Sequence, residues 1–161
     1  MISKDMKLSK NFSLMEMTRS MTAKRLDIIN VPLAIEIVNM SFLCEEILQP
    51  VRDRFGPTKV LSGYRSIELN KAIGGSSRSQ HCEGMAADIE CPGADNFRVF
   101  GWIADRLEFD QLILEYYEKG DPLSGWVHVS YNKSGNRKNI LVASKKAGTV
   151  EYRTVNNISE V

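Results

Sequence analysis

The sequence is poor in histidine, cysteine and long apolar runs. Of its 161 residues, two are histidine and three are cysteine. An odd number of cysteines without the spacing of a metal finger predicts no complete disulfide framework. No run is long enough to cross a bilayer, and the stretch from Met1 to Lys7 lacks the hydrophobic core of a signal peptide. We therefore expect a chain that is made in the cytoplasm and does not insert into a membrane.

An excess of charge of either sign is also missing. Twenty-one Lys and Arg residues balance 20 Asp and Glu residues, which leaves a net charge of +1 at pH 7. Nucleic-acid binders usually carry a clear basic excess, so no nucleic-acid partner is expected. The length predicts a single domain over residues 1–161, monomeric, with its polar ends 1–11 and 150–161 loosely ordered.

Apolar periodicity predicts helices around a small sheet. The segments with helical spacing are the short turns within 12–30, the long run 33–55, and the segments 66–72 and 94–107. Pro50 is expected to kink or end the long run, because proline lacks a backbone donor. The predicted strands are 58–62, 85–91, 110–116, 126–131 and, at an edge of the sheet, 139–144. The pattern favours an α+β fold with a mainly antiparallel sheet.

A histidine and an aspartate stand together in the middle of the chain. His81 and Asp88 are separated by a stretch of small residues that leads into an apolar strand. A carboxylate inside such a strand needs a partner, and a bound cation is a sufficient one. Catalytic zinc is held by three imidazole or carboxylate ligands and keeps a fourth position open for water. The one remaining histidine, His128, lies in an alternating segment and completes a candidate site.

Ordered motifs around these residues resemble a known enzyme family. The motifs are Ser62-Gly63-Tyr64-Arg65-Ser66, Ser79-x-His81-x-x-Gly84-x-Ala86-Ala87-Asp88 and Trp126-x-His128. As a set they resemble the zinc D-alanyl-D-alanine carboxypeptidase and phage endolysin peptidase family, and the first motif is similar above all to its phage members. The resemblance implies a Hedgehog-like D,D-peptidase fold, in which a small sheet carries the zinc site and packs against helices.

The same resemblance implies roles for individual residues. It implies one Zn²⁺ per chain, held by His81, Asp88 and His128. Arg65 is expected to stabilise a developing oxyanion, because its planar fork of donors suits a carboxylate or an oxyanion. The residues expected to contact the substrate or to line the cleft are Tyr64, Ser79 and Trp126.

The general base is indicated less directly. In one familiar version of the family pattern an acidic residue stands three positions before the last histidine ligand, but this chain has Gly125 there. Strand alternation places Glu115 on a defined face, and if that face is shared with His128 its carboxylate lies near the metal. Glu115 is therefore predicted to be the base, with Asp121 and Glu118 in the following loop as alternatives.

The implied substrate is the stem peptide of bacterial cell-wall peptidoglycan. A phage endolysin-type endopeptidase is the preferred interpretation. A D,D-carboxypeptidase is one alternative, and a non-catalytic, zinc-stabilised wall-binding or phage structural module is another, motivated by Gly125. Because no signal peptide is evident, the chain is expected to reach the wall through a pore-forming partner, after cell lysis, or as part of a phage particle.

Overall fold

Six strands form one sheet in which neighbours in space are often not neighbours in sequence. The computed structural model describes residues 6–161. Its helices are α1 (Leu14–Thr18), α2 (Met21–Leu26), α3 (Ala34–Leu43), α4 (Gln49–Phe55), α5 (Ile67–Ala72) and α6 (Asn96–Arg106). Its strands are β1 (Lys59–Ser62), β2 (Ala86–Glu90), β3 (Gln111–Glu115), β4 (Trp126–Ser130), β5 (Asn139–Lys146) and β6 (Thr149–Thr154). A π-helical turn occupies Cys44–Leu48, and 3₁₀ turns occupy Gln80–Glu83 and Ile158–Glu160.

The sheet has the order β1-β2-β4-β3-β5-β6, and every adjacent pair except β3 and β5 is antiparallel. The predicted α+β class and mainly antiparallel sheet are thereby confirmed. The prediction that β5 lies at an edge is wrong, because β5 pairs with β3 on one side and β6 on the other. Every residue of β6 is exposed, and although Val150 and Tyr152 alternate with polar residues there, this strand was not among those predicted.

The long helix predicted over 33–55 is one helical run with a widened turn in its middle. α3 leads directly into the π turn, and α4 follows without a break. Pro50 stands in the first turn of α4, where the preceding π turn has moved the hydrogen bonding to carbonyls five residues back. The missing donor of proline is therefore accommodated, and the helical run continues to Phe55 instead of ending.

The two faces of the sheet have different roles. One face carries the alternate apolar residues of the central strands, which pack against the helical run 34–55 and α6. These core residues include Ile89, Leu112, Leu114, Val127 and Val129. The residues between them, such as Asp88, Ile113 and His128, point to the opposite face. The sheet thus separates a hydrophobic core from the face on which polar side chains gather.

Both ends of the described chain contain ordered contacts. Leu8 is buried, β6 comprises Thr149–Thr154, and Val155 is buried after it. The loose order predicted for 1–11 and 150–161 concerns mobility and stays a prediction, and residues 1–5 lie outside the described part. Among residues 6–161, no helix has both the length and the apolar character needed to cross a membrane.

A buried carboxylate connects three parts of the chain. Asp110, just before β3, accepts hydrogen bonds from the Arg137 guanidinium (Nη2 to Oδ2, 2.6 Å) and from the Arg137 backbone N–H (3.0 Å). The side-chain amide of Gln80 donates a further bond of 2.8 Å. The hydrogen bonds from Arg137 outweigh the effect of burial and lower the pKa of Asp110 below its usual range. Asp110 therefore fixes the start of β3, the segment before β5 and the turn at Gln80.

We expect Asp110→Asn to lower the free energy of unfolding at neutral pH by about 1–3 kcal/mol, as for a charged hydrogen bond. The lowered pKa means that this stabilisation is fully present above the unfolded-state value of about 3.9 and is lost as pH falls through the folded-state value. Urea unfolding between pH 7 and pH 3 measures it. The exposed Asp105→Asn on α6 is the control. A gap between wild type and variant that does not shrink in acid would contradict the role of the carboxylate.

Candidate metal centre and active-site cleft

Antiparallel pairing brings the first two candidate ligands together. In the register of β2 and β4, Asp88 lies directly opposite His128, so both side chains project from the same face. His81 comes from the 3₁₀ turn before β2, which ends at Gly84 with φ of +69°. A Cβ at Gly84 would collide with the backbone carbonyl of Glu36, so glycine lets this turn lie against α3.

The three side chains converge on one point. His128 Nδ1 lies 2.9 Å from Asp88 Oδ1, and His81 Nε2 lies 3.4 Å from the same oxygen. The two ring nitrogens are 3.3 Å apart. Tetrahedral zinc with bonds of about 2.0–2.1 Å separates its ligand atoms by about 3.3 Å. The donor set therefore fits a single zinc ion, and among residues 6–161 it is the one group of three such side chains that could hold a metal ion.

Neighbouring groups orient the ligands. The Gly63 carbonyl lies 2.7 Å from His81 Nδ1 and accepts a hydrogen bond from its N–H, which leaves the Nε2 lone pair directed at the other two candidate ligands. Arg65 Nη2 lies 3.4 Å from Asp88 Oδ2, the oxygen that is turned away from the imidazoles. The candidate ligand atoms of His81 and Asp88 are thus left available by a partner that binds the other end of each group.

Burial and charge set the protonation states needed for metal binding. Burial lowers the pKa of His81, so its ring is neutral at neutral pH. Burial by itself would raise the pKa of Asp88, but its interactions with the two imidazoles outweigh burial and hold this pKa well below its usual range. A neutral imidazole and an ionised carboxylate are the forms that coordinate a metal.

The three ligands lie in a cleft that follows β3. The cleft contains four of the other predicted site residues, namely Arg65, Ser79, Glu115 and Trp126. Tyr64 is not among the residues that line it. This side chain is buried and borders a neighbouring groove along β1, and its backbone N–H donates to the Met17 carbonyl. The structure therefore brings all the predicted site residues except Tyr64 to one cavity.

Glu115 lies on the same face of the sheet as His128. In the register of β3 and β4, Ile113 is opposite His128 and Glu115 is opposite Trp126. Burial raises the pKa of Glu115, and the nearby charge of Asp88 raises it further. A carboxylate whose pKa is moved toward the working pH is better suited to accept a proton from water.

The glycine that replaces the familiar acidic residue has a structural reason. Gly125 has φ of +61°, and a Cβ there would overlap the backbone carbonyl of Glu115. No side chain fits at that position, so a carboxylate must come from elsewhere. Glu118 and Asp121 are exposed, pair with each other through an isolated bridge, and are not among the residues that line the cleft. Position thus favours Glu115 over both alternatives.

Arg65 is held in place by three side-chain oxygens. Its Nε donates to Ser62 Oγ (3.1 Å), Nη1 to Asn70 Oδ1 (3.4 Å) and Nη2 to Asp88 Oδ2 (3.4 Å). A guanidinium has five N–H donors, so two remain after these bonds. Because Arg65 also lines the cleft, its remaining donors are placed to interact with a substrate oxygen.

Residues 10–130 match the family model of Peptidase M15. The chain belongs to the Peptidase M15 family. This confirms the family interpretation drawn from the sequence motifs, and it makes the chain a zinc-dependent metallopeptidase. No individually curated protein matches this M15 chain. The matched segment contains all three candidate ligands and Glu115, and it ends before β5 and β6.

Several residues that line the cleft were missed by sequence reasoning. They include Gln111, Tyr116, Arg137, Leu141 and Tyr152. Alternation on β3 was a signal for Gln111, which shares a face with Glu115. The last three belong to the segment beyond the matched region, and the parallel pairing of β3 with β5 brings that segment beside the site. No local pattern in the sequence predicts that β3 and β5 pair in parallel.

We expect metal-loaded protein to contain one zinc per chain, and His128→Ala to lose it, because three ligands converge on one point. Elemental analysis after gel filtration measures the content. Cys82→Ser is the matched control, since Cys82 adjoins His81 but is not in the cluster. Zinc content that survives in His128→Ala, or falls in Cys82→Ser, would contradict this ligand set.

Proposed function

We propose that this M15 chain is an endolysin-type endopeptidase that hydrolyses the stem peptides of bacterial peptidoglycan, with one zinc held by His81, Asp88 and His128. The observation that carries the proposal is the convergence of these three side chains beside a carboxylate with a raised pKa, in a chain of this family. The similarity of the motif Ser62 to Ser66 to phage members supports the endolysin assignment.

Each side chain then has a chemical task. A bound zinc ion supplies a Lewis acid for the peptide carbonyl and a water molecule of lowered pKa. Glu115 takes a proton from the attacking water and delivers it to the leaving amine. Arg65 offers its remaining N–H groups to the carbonyl oxygen as negative charge develops. Ser79 and Trp126 contact the peptide on either side of the ligands.

The course of the cleft supports an endopeptidase. Glu115 and Trp126 lie toward one end of β3, whereas Gln111 and Arg137 lie toward the other, with His128 opposite the middle of the strand. A peptide therefore has lining residues on both sides of the ligands, as cleavage within a chain requires. A carboxypeptidase removes only the C-terminal residue of a peptide, so on one side of the ligands it needs room for that residue alone.

Delivery to the wall is proposed to depend on a pore-forming partner, on lysis, or on packaging in a phage particle. Within residues 6–161 no helix is both long enough and apolar enough to span a membrane. Lysis of intact cells by the chain expressed alone in the cytoplasm would argue against this route.

Digestion of purified peptidoglycan tests the function. Mass analysis of the released fragments should show new amino termini, and these should disappear after chelation and return with added zinc. Release of D-alanine alone would show a carboxypeptidase instead. Tight binding to the wall without any product would favour a non-catalytic module.

The role of Glu115 is tested by Glu115→Gln, which keeps the shape of the side chain and removes the basic carboxylate. We expect kcat on a defined stem peptide to fall by about 100- to 10,000-fold, the usual range for general acid-base catalysis, while zinc content is unchanged. Glu118→Gln, an exposed neighbour outside the cleft, is the control and should keep wild-type kcat. If kcat instead falls in Glu118→Gln and is unchanged in Glu115→Gln, the general base is in the loop that contains Glu118.

A further inference from the structure

One arginine in the cleft comes from outside the segment that matches the family. Arg137 follows the matched residues 10–130, yet it lines the cleft together with the candidate ligands. Its Nε and Nη2 bind the two oxygens of Asp110 at 3.0 and 2.6 Å. Gln80, the residue before His81, binds the same carboxylate. The guanidinium is therefore fixed relative to the metal centre by a buried anion.

This ion pair leaves part of the guanidinium open to the cleft. The Arg137 side chain is 63% exposed, whereas that of Asp110 is 3% exposed. Within residues 6–161 the Nη1 group of Arg137 makes no hydrogen bond to the protein. The N–H groups of Nη1 can each donate to a carboxylate oxygen, and an arginine whose position is already fixed loses less entropy on binding.

A second arginine lines the same cavity from the loop between α5 and the 3₁₀ turn. Arg78 is exposed, and in the described part of the chain its side chain forms no ion pair. The carboxylates that line the cleft are Asp88 and Glu115, which belong to the metal centre and to the far end of β3. Asp110 balances the charge of Arg137, whereas no ion pair in the described chain balances Arg78, so Arg78 adds an unpaired positive charge to the cleft that Arg137 also lines.

The distance from the metal centre suits a neighbouring residue of a bound peptide. Ile113 lies opposite His128, and Gln111, two residues away on the same face, follows Asp110 directly. Two strand residues span roughly 7 Å, so a group beside Gln111 lies on the order of 10 Å from the ligands. An extended peptide advances about 3.3 Å per residue, which places its second or third residue from the cleaved bond near Arg137.

We propose that Arg78 and Arg137 form a carboxylate-binding subsite, which makes the enzyme select peptides that carry a carboxylate two or three residues from the bond it cleaves. The inference rests on the proposed peptidase function and adds a feature of its substrate. A side-chain carboxylate and the C-terminal carboxylate of a peptide share this chemistry, and the experiment distinguishes them.

The probes are three synthetic stem peptides of one sequence: one with free side-chain and C-terminal carboxylates, one amidated on the side chain, and one amidated at the C-terminus. Calorimetric affinity for the zinc-loaded protein and kcat/KM are measured for each. Amidation of the recognised carboxylate should weaken binding by about 10- to 100-fold, as expected for a charged hydrogen bond. The peptide that is weakened identifies which carboxylate is bound.

Three variants locate the subsite. Arg78→Gln and Arg137→Lys should each reduce the preference for the free carboxylate, and the double variant should bind all three peptides equally. The exposed Arg106→Gln on α6 should keep the full preference. Because Arg137→Lys weakens the bond to Asp110, thermal unfolding and zinc content accompany every variant. Arg78→Gln removes no side-chain hydrogen bond in the described chain, so it tests the subsite without that complication.

The outcomes separate this inference from the proposed function. Equal binding of the three peptides by wild type, or no binding of any, would overturn the subsite. A preference that the double variant retains would also overturn it. Hydrolysis of all three peptides without preference would leave the peptidase standing and remove the subsite. Preferential binding that depends on the two arginines, without hydrolysis, would keep the subsite and remove the peptidase.

Discussion

The opposition of Asp88 and His128 across β2 and β4 is the constraint on which the site depends. Antiparallel register places a carboxylate and an imidazole on one face at 2.9 Å, and the turn before β2 adds His81 to the same oxygen. A buried carboxylate is costly without a partner, so the strand that holds Asp88 requires the two imidazoles, Arg65 or a metal beside it. Gly84 serves this arrangement by letting the turn lie close to α3.

The sheet can hold this polar cluster because one of its faces packs against the helices and the other carries the candidate ligands. Core residues such as Leu114 and Val127 are completely buried between the sheet and the helices, and they fix the register of the strands that carry the ligands. Side chains on rigid strands hold their geometry better than side chains on loops. The same register brings Glu115 beside the cleft, and the left-handed conformation of Gly125 lets the chain pass against Glu115.

The segment after the matched region extends the site without altering the metal centre. β5 adds to β3 in parallel, and the residues before and after it place Arg137 and Tyr152 at the cleft. Asp110 links that segment to the turn at His81, so the two parts of the cleft share one buried carboxylate. The three candidate ligands therefore lie within the matched region, whereas part of the cleft wall comes from the segment after it.

Apolar periodicity was enough to predict the α+β class, and the resemblance of the ordered motifs indicated the family. The three candidate ligands could be named because zinc chemistry limits the ligand set and this chain has just two histidines. Strand alternation also indicated Glu115. Contacts between distant segments decided the rest. Tyr64 lies in a neighbouring groove because its backbone pairs with Met17, and β6 forms from exposed residues through its pairing with β5. Arg137 reaches the cleft through a parallel strand pairing and a bond to Asp110. Such long-range pairing depends on how elements pack, which local periodicity does not encode.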